Sequence, residues 1–314
     1  MFAEGTENMQ YARHWIEYLV FRGFFCLLQT LRIETCEWIA NHVGWLFTKL
    51  IPFRTRVIDD NLRQAFPTWS SERRRQTARA MWEHLFLMLC EVAHASRKIH
   101  HTNWRDFISF PGDSRRLLAQ NLLDPRPTTV VSGHFGNFEV ASYVIGLLGF
   151  PTLALVRPLD NPFINRFITR FRAAHGQFIL PRKGSATKVA AALEAGLNLA
   201  LLCDQWAGRK GSRVEFFGRL TSCHKAIAVF PLSNQSPLVV SYFKRDNRAM
   251  KFECAFFAGA DPLQGGEHLQ SSLSLTQWYN HQLEDIIRLK PEQYWWLHRR
   301  WKNKCWIPPK RKAA

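Results

Sequence analysis

Apolar positions along this chain follow two periods, helical and alternating, and the switches between them mark the elements. From Tyr11 to Phe53 the spacing is helical but broken by charge: Glu17, Arg22, Arg32, Glu34, Glu37 and Lys49 leave only Gly23 to Leu31 as a charge-free run at the centre. That run is about half of the roughly 20 residues a spanning helix needs. The pattern therefore predicts two amphipathic helices lying in a membrane interface, anchored by Trp15, Phe21, Phe24, Phe25, Trp38, Trp45 and Phe47. A buried helical hairpin and a tilted span with Arg22 and Arg32 reaching back to the surface are the alternatives. Residues 1–53 are assigned to this membrane-associated segment and residues 54–314 to the domain that follows.

Arg54 to Phe66 is a basic stretch closed by Pro67, after which Ser70 or Ser71 opens a long helix to about Ile99. A short strand is expected over Phe107 to Phe110 and a helix from Arg115 to Leu123. The chain then alternates. Strands are predicted at Thr128 to Val131, Thr152 to Val156, Phe178 to Leu180 and Leu197 to Cys203, with helices opened by Asn137 and running over Pro162 to Ala174 and Thr187 to Ala195. Further strands fit Pro237 to Lys244 and Met250 to Phe257, before a helix from Thr276 to Leu289. Such alternation predicts an α/β fold with a mostly parallel central sheet flanked by helices.

With 314 residues, 46% of them hydrophobic, the chain can bury a sizeable core. Its net charge of +17 points to an anionic partner: nucleic acid, anionic lipid or an acidic carrier protein. Twelve tryptophans beside that charge suit a membrane interface as well as single-stranded nucleic acid, but no nucleic-acid-binding motif is present. The seven cysteines are scattered without metal-ligand spacing and read as reduced thiols. No signal-peptide pattern is found at the N-terminus.

The chemistry concentrates in Thr128 to Val140. A β-branched run leads to Gly133, His134 and Gly136, and Glu139 falls in the first turn of the next helix. Ligands in open α/β sheets sit beyond the carboxyl ends of the strands, which places His134 as a general base. The same H-x-x-x-x-E/D spacing recurs at His101 and Asp106, without a preceding apolar strand, and there it reads as surface. A helix N-terminus lowers and a carboxylate raises the histidine pKa, leaving a neutral base near pH 7. Glu139 is expected to fix the tautomer, and backbone amides of the Gly136 to Phe138 turn to stabilise an oxyanion. No G-x-S-x-G elbow occurs, so direct attack by a substrate hydroxyl is favoured over an acyl-enzyme.

His134-Phe-Gly-Asn-Phe-Glu139 resembles the signature of the late acyltransferases of lipid A biosynthesis, part of the glycerolipid-acyltransferase-like group. The resemblance continues through Asn61 to Pro67, Arg157 to Pro162, Leu202 to Gln205, Phe216 to Arg219 and Tyr294 to Lys302. It implies transfer of a fatty acyl chain from acyl carrier protein, or coenzyme A, to a hydroxyl of a phosphorylated glycolipid at the cytoplasmic face of the inner membrane. No resident cofactor or metal and no nucleic-acid partner are implied. His134 is then the base and Glu139 its orienting partner, with Gly136, Asn137, Arg157, Arg182, Lys183 and Asp204 on the substrate side. Arg157 would contact phosphate or oxyanion, Arg182 and Lys183 a phosphate or the carrier, and Asp204 would have a positioning role. Thr221 to Lys225 would shape the acyl or acceptor pocket.

Overall fold

The computed structural model describes residues 2–181 and 184–302. Two helices, α1 (Phe2–Thr30) and α2 (Ile33–Lys49), come first, followed by α3 (Thr55–Ala65) and the long α4 (Ser71–Lys98). The α/β part then runs β1 (Ile108–Ser109), α5 (Ser114–Leu123), β2 (Thr129–Ser132), α6 (Phe138–Leu147), β3 (Thr152–Val156), α7 (Pro162–Arg172), β4 (Phe178–Pro181), α8 (Ala186–Glu194) and β5 (Asn198–Leu202). A two-stranded hairpin, β6 (Ser212–Phe216) and β7 (Arg219–Cys223), precedes α9 (Ala226–Ser233), β8 (Leu238–Arg245), β9 (Phe252–Ala260) and α10 (Ser272–Leu289).

Seven strands make the central sheet in the order β1-β9-β8-β2-β5-β3-β4. Among the described residues, the only antiparallel pairing within it is β8 with β9. The predicted mostly parallel α/β sheet is therefore what the chain adopts. β2 is buried because helices cover both faces: Val130 and Val131 are 4% and 0% exposed. One core cluster joins α3, β8 and α10 through Leu62, Val240 and Leu283, and a second joins the end of α4 to α6 and β9 through Ile99, Val144 and Phe252. Ser70 caps α4 by accepting from the Arg73 amide at 3.2 Å, and Asn137 caps α6 by accepting from Val140 at 3.1 Å.

The two N-terminal helices pack onto this body, each against α4. α2 lies against α4 closely enough that a Cβ at Gly44 would stand 2.9 Å from the Arg79 carbonyl oxygen. α1 reaches α7 through Trp15 on Phe163 and Phe25 on Phe167, with ring centroids 4.7 and 5.0 Å apart. The anchors thus divide. Phe21, Phe25 and Phe47 are partly buried by Phe167 or Trp82, while Trp15, Phe24, Trp38 and Trp45 stay exposed, alongside Leu19 and Val20. Among the described residues no helix is long and apolar enough to cross a membrane.

Three elements escaped the periodicity. α3 hides in the basic stretch because only one of its faces is apolar, with Ile58, Leu62 and Ala65 turned inward. The β6–β7 hairpin turns at Phe217 and Gly218, both at positive φ, a turn for which the sequence carries only one glycine. α9 contains Pro231, which argues against a helix in sequence terms.

Candidate active site

Strand register explains how two residues 70 positions apart meet. β2 and β5 pair in parallel with Ser132 opposite Leu202, so two residues further on His134 and Asp204 leave the sheet side by side. The Asp204 carboxylate accepts from His134 Nδ1 at 2.7 Å and from the His134 amide at 2.8 Å. A carboxylate only accepts, so the neutral ring carries its proton on Nδ1 and presents the Nε2 lone pair. The Gln205 side-chain amide lies 3.3 Å from Nε2. Burial lowers the imidazole pKa, but the charge and hydrogen bond of Asp204, with a smaller push from Glu139, outweigh it and the net shift is upward. Asp204 is 3% exposed, and burial disfavours its charge. His134 beside it and the Arg300 charge still hold it well below the usual carboxylate range.

The residue fixing the His134 tautomer is therefore Asp204, where the sequence pointed to Glu139. Glu139, in the first turn of α6, faces α7 instead and takes both arms of Arg172, at 2.8 Å from Nε and 2.5 Å from Nη2. Its charge reaches His134 only at a distance.

Of the three expected oxyanion amides, two are already engaged. The Gly136 amide donates to the Gln293 carbonyl and the Asn137 amide to the Phe243 carbonyl, each at 2.9 Å, so neither is available to a substrate. Both residues are buried and hold the turn. A Cβ at Gly136 would stand 2.0 Å from the Phe243 carbonyl oxygen, and its φ of +61° is itself one that favours glycine. The Asn137 side chain caps α6 with its oxygen and donates to Glu91 Oε2 at 2.9 Å.

Behind this turn lies a buried polar network. Arg245 donates to both oxygens of Glu91, at 2.6 and 2.7 Å, and to His84 Nδ1 at 2.8 Å. Because a guanidinium only donates, His84 Nδ1 is an acceptor, and its Nε2 proton points to the Gly136 carbonyl at 3.3 Å. Burial and the Arg245 charge drive the His84 pKa well down.

In front, His134 forms part of the wall of a mostly apolar cavity of about 1050 Å³ between the sheet face, α1, α4, α6 and α7. Arg157 also lines it, with an exposed side chain and a loose 3.8 Å contact to Asp160, and does not pair with Asp204. His224, from the Thr221 to Lys225 stretch, lines it too. Arg182 and Lys183 lie outside the described residues. His101 is exposed, away from the cavity, its ring edge-on to His175.

Sequence reasoning passed over several lining residues. Arg172 sits in the last turn of α7, where its guanidinium looks like an ordinary helix-terminal cation. Gln205 and His298 lie inside the quoted stretches without having been singled out. His298 Nε2 accepts from the Trp206 amide at 3.0 Å, so its proton sits on Nδ1; burial pulls its pKa to about 4, which keeps the ring neutral. Trp295 closes the group, its ring 5.9 Å from that of His134. The signal for His298 was its place in an aromatic and basic tail that folds back onto the His134 turn, where the Trp295 amide donates to the His134 carbonyl at 3.0 Å.

Comparison with known proteins gives the family. Residues 3–303 match the family described as bacterial lipid A biosynthesis acyltransferase. The chain is 24% identical to the lipid A biosynthesis lauroyltransferase of Escherichia coli K12 over 300 residues, 93% of each chain. It is equally identical to the palmitoleoyltransferase of the same strain over 306 residues, 95% of each chain, and to a lipid A biosynthesis acyltransferase of Shigella flexneri over the same span. With a parallel sheet presenting a carboxylate-held histidine to a large apolar cavity, and a family match over almost its full length, the chain belongs to the bacterial lipid A biosynthesis acyltransferase family.

Proposed function

We propose that this protein moves a fatty acyl chain from a thioester, carried by acyl carrier protein or coenzyme A, to a hydroxyl of a lipid A precursor. The observation that carries the reading is the His134 ring, pinned through Nδ1 by Asp204 at the wall of an apolar cavity large enough for an acyl chain. His134 Nε2 takes the proton of the acceptor hydroxyl as its oxygen attacks the thioester carbonyl. The tetrahedral oxyanion then collapses, the C–S bond breaks, and the thiolate leaves with the proton held on Nε2. The donor is a co-substrate, and no resident cofactor enters these steps. His298 Nδ1–H and the Gln205 amide take the oxyanion role first assigned to the turn amides. Glu139 holds Arg172 on the wall of the same cavity, where the cation favours negative charge on the substrate. Arg157, together with Arg182 and Lys183, suits phosphate on the acceptor or carrier.

The exposed side chains of α1 and α2, among them Trp15, Leu19, Val20, Phe24, Trp38 and Trp45, rest in the headgroup region at the cytoplasmic face of the inner membrane. Residues 1–53 act there as an anchor for the domain of residues 54–314. A charge of +17 favours an anionic leaflet, an acidic carrier and a phosphorylated acceptor alike. The test is mass spectrometry of a lipid A precursor incubated with the purified full chain and acyl carrier protein thioesters of graded length. The acceptor gains one acyl residue per thiol released, and His134→Ala stops both. Thiol release without mass gain by the acceptor would replace this reading with thioester hydrolysis.

A further inference from the structure

Beneath Asp204 lies a cation that the steps above do not use. Arg300 is 2% exposed, and its guanidinium donates to the Ser222 carbonyl at 3.2 Å, Cys223 Sγ at 3.0 Å and Asn280 Oδ1 at 3.0 Å while standing 5.0 Å from the centre of the Phe216 ring. None of those acceptors is a carboxylate, and Nε has no partner among the described residues. Burying a cation is costly unless an anion lies close enough to answer its charge. Asp204, equally buried, is brought near it: the Trp206 amide, two residues after Asp204, donates at 3.0 Å to His298, two residues before Arg300, and the two side-chain charges favour each other. The two arrive from separate directions: Asp204 follows β5, while Arg300 belongs to the tail tied to β7 by the bond from Thr221 Oγ1 to the Arg300 carbonyl at 2.8 Å.

We propose that Arg300 is a positioning residue whose buried charge balances Asp204, so that the carboxylate stays ionised while His134 releases its Nε2 proton. Without the balance, a lone buried carboxylate against the imidazole would hold the extra proton more tightly, and His134 would remain an imidazolium to higher pH. The other titratable groups around the pair are Glu139 on α6, Cys203 after β5, Cys223 on β7, Tyr279 on α10, and Tyr294, His298 and Lys302 of the tail. Of these, Glu139 already has its own cation in Arg172. His134 and Asp204 titrate as a pair, and Arg300 acts on the pair's proton affinity.

The acid limb of kcat/KM depends on the proposed acyl transfer, whereas the titration of a 13C-labelled His134 imidazole followed by NMR in the full chain does not. Arg300→Met should raise the His134 pKa and the acid limb together by on the order of one pH unit, the size of effect a unit charge has across about 12 Å of protein at an effective dielectric of about 20. Asn280→Asp should do the same while leaving Arg300 in place, because the new carboxylate keeps the acceptor at Arg300 Nη2 and neutralises its charge. Arg300→Lys should keep both values within a few tenths of a unit even where the melting temperature falls. If Arg300→Met does not fold, Asn280→Asp decides. An unmoved His134 titration in folded Asn280→Asp, with only thermal stability altered, would make Arg300 a purely structural residue and overturn the proposal. If the wild-type chain transfers no acyl group, the functional reading fails, and the NMR titration still tests this one.

Discussion

The front and the back of the His134 turn each hold a buried histidine against a charged side chain, with opposite results. In front, the partner of His134 is the Asp204 carboxylate, which fixes the proton on Nδ1 and favours the charged ring. At the back, the partner of His84 is the Arg245 guanidinium, which must find an acceptor on Nδ1 and so forbids the charged ring. Burial lowers the pKa of both. The sign of the neighbour therefore separates a ring able to exchange a proton from one that acts as a fixed strut, donating to the Gly136 carbonyl. Proximity to the signature did not distinguish them. The lone pair facing the cavity does.

The largest way to break this contrast is to remove the front carboxylate. Asp204→Asn should lower turnover by about 10²–10⁴-fold, the range seen when a general base loses its tautomer or its partner, and should lower the melting temperature too, because the buried Arg300 loses the carboxylate that balances it. The same substitution should lower the His134 pKa, because the main upward influence on it is gone. Glu139→Gln should lower that pKa less, since Glu139 is the smallest contributor and is already neutralised by Arg172. The opposite ranking, read by imidazole NMR, would return the tautomer role to Glu139.

At the back, the expected loss is of stability. Arg245→Met leaves Glu91, 0% exposed, as an unpaired buried carboxylate and should cost about 3–5 kcal/mol in urea unfolding. The double variant Glu91→Gln with Arg245→Met should recover part of that, because the stranded charge is removed. Recovery of nothing would mean that the hydrogen bond of the Arg245 side chain to His84, rather than the ion pair, holds the turn.

Much of the front was legible in the sequence and little of the back. The strand before His134, the cap at Asn137 and the strand ending before Asp204 all follow from local periodicity and capping. Their pairing follows only from strand order: β2 and β5 are neighbours because β3 and β4 are added outside β5, a choice no local pattern encodes. Glu139 looked like the partner of His134 because it is near in sequence, but the first turn of α6 directs it to α7. Arg245 ends a strand and His84 lies mid-helix, each ordinary alone. Their meeting with Glu91 needs α4 laid across the end of β8, which is tertiary information. The N-terminal region was readable as two amphipathic helices, though not which aromatic residues α7 and α4 would cover.

The finest test of the comparison is the dependence of stability on pH, where the two histidines have opposite signs. The folded-state pKa of His134 is raised, so its contribution is fully present below the unfolded value of about 6.5 and is lost as pH rises through the folded value. The folded-state pKa of His84 is lowered, first by burial and then by Arg245. Below about pH 6.5 the unfolded chain binds a proton that the folded chain refuses, so stability falls with acidification by up to about 1.4 kcal/mol per pH unit for this one histidine. His298, pulled to about 4, adds to the same slope over the same window. His84→Gln keeps an acceptor for Arg245 and a donor for the Gly136 carbonyl but does not titrate. Urea unfolding of both proteins at pH 7 and pH 5 should show a shallower acid-side loss in the variant by close to one proton, with the carboxylate contributions common to both cancelling in the difference. Equal slopes would mean that His84 accepts a proton in the folded state, and that the back of the turn is as able to titrate as the front.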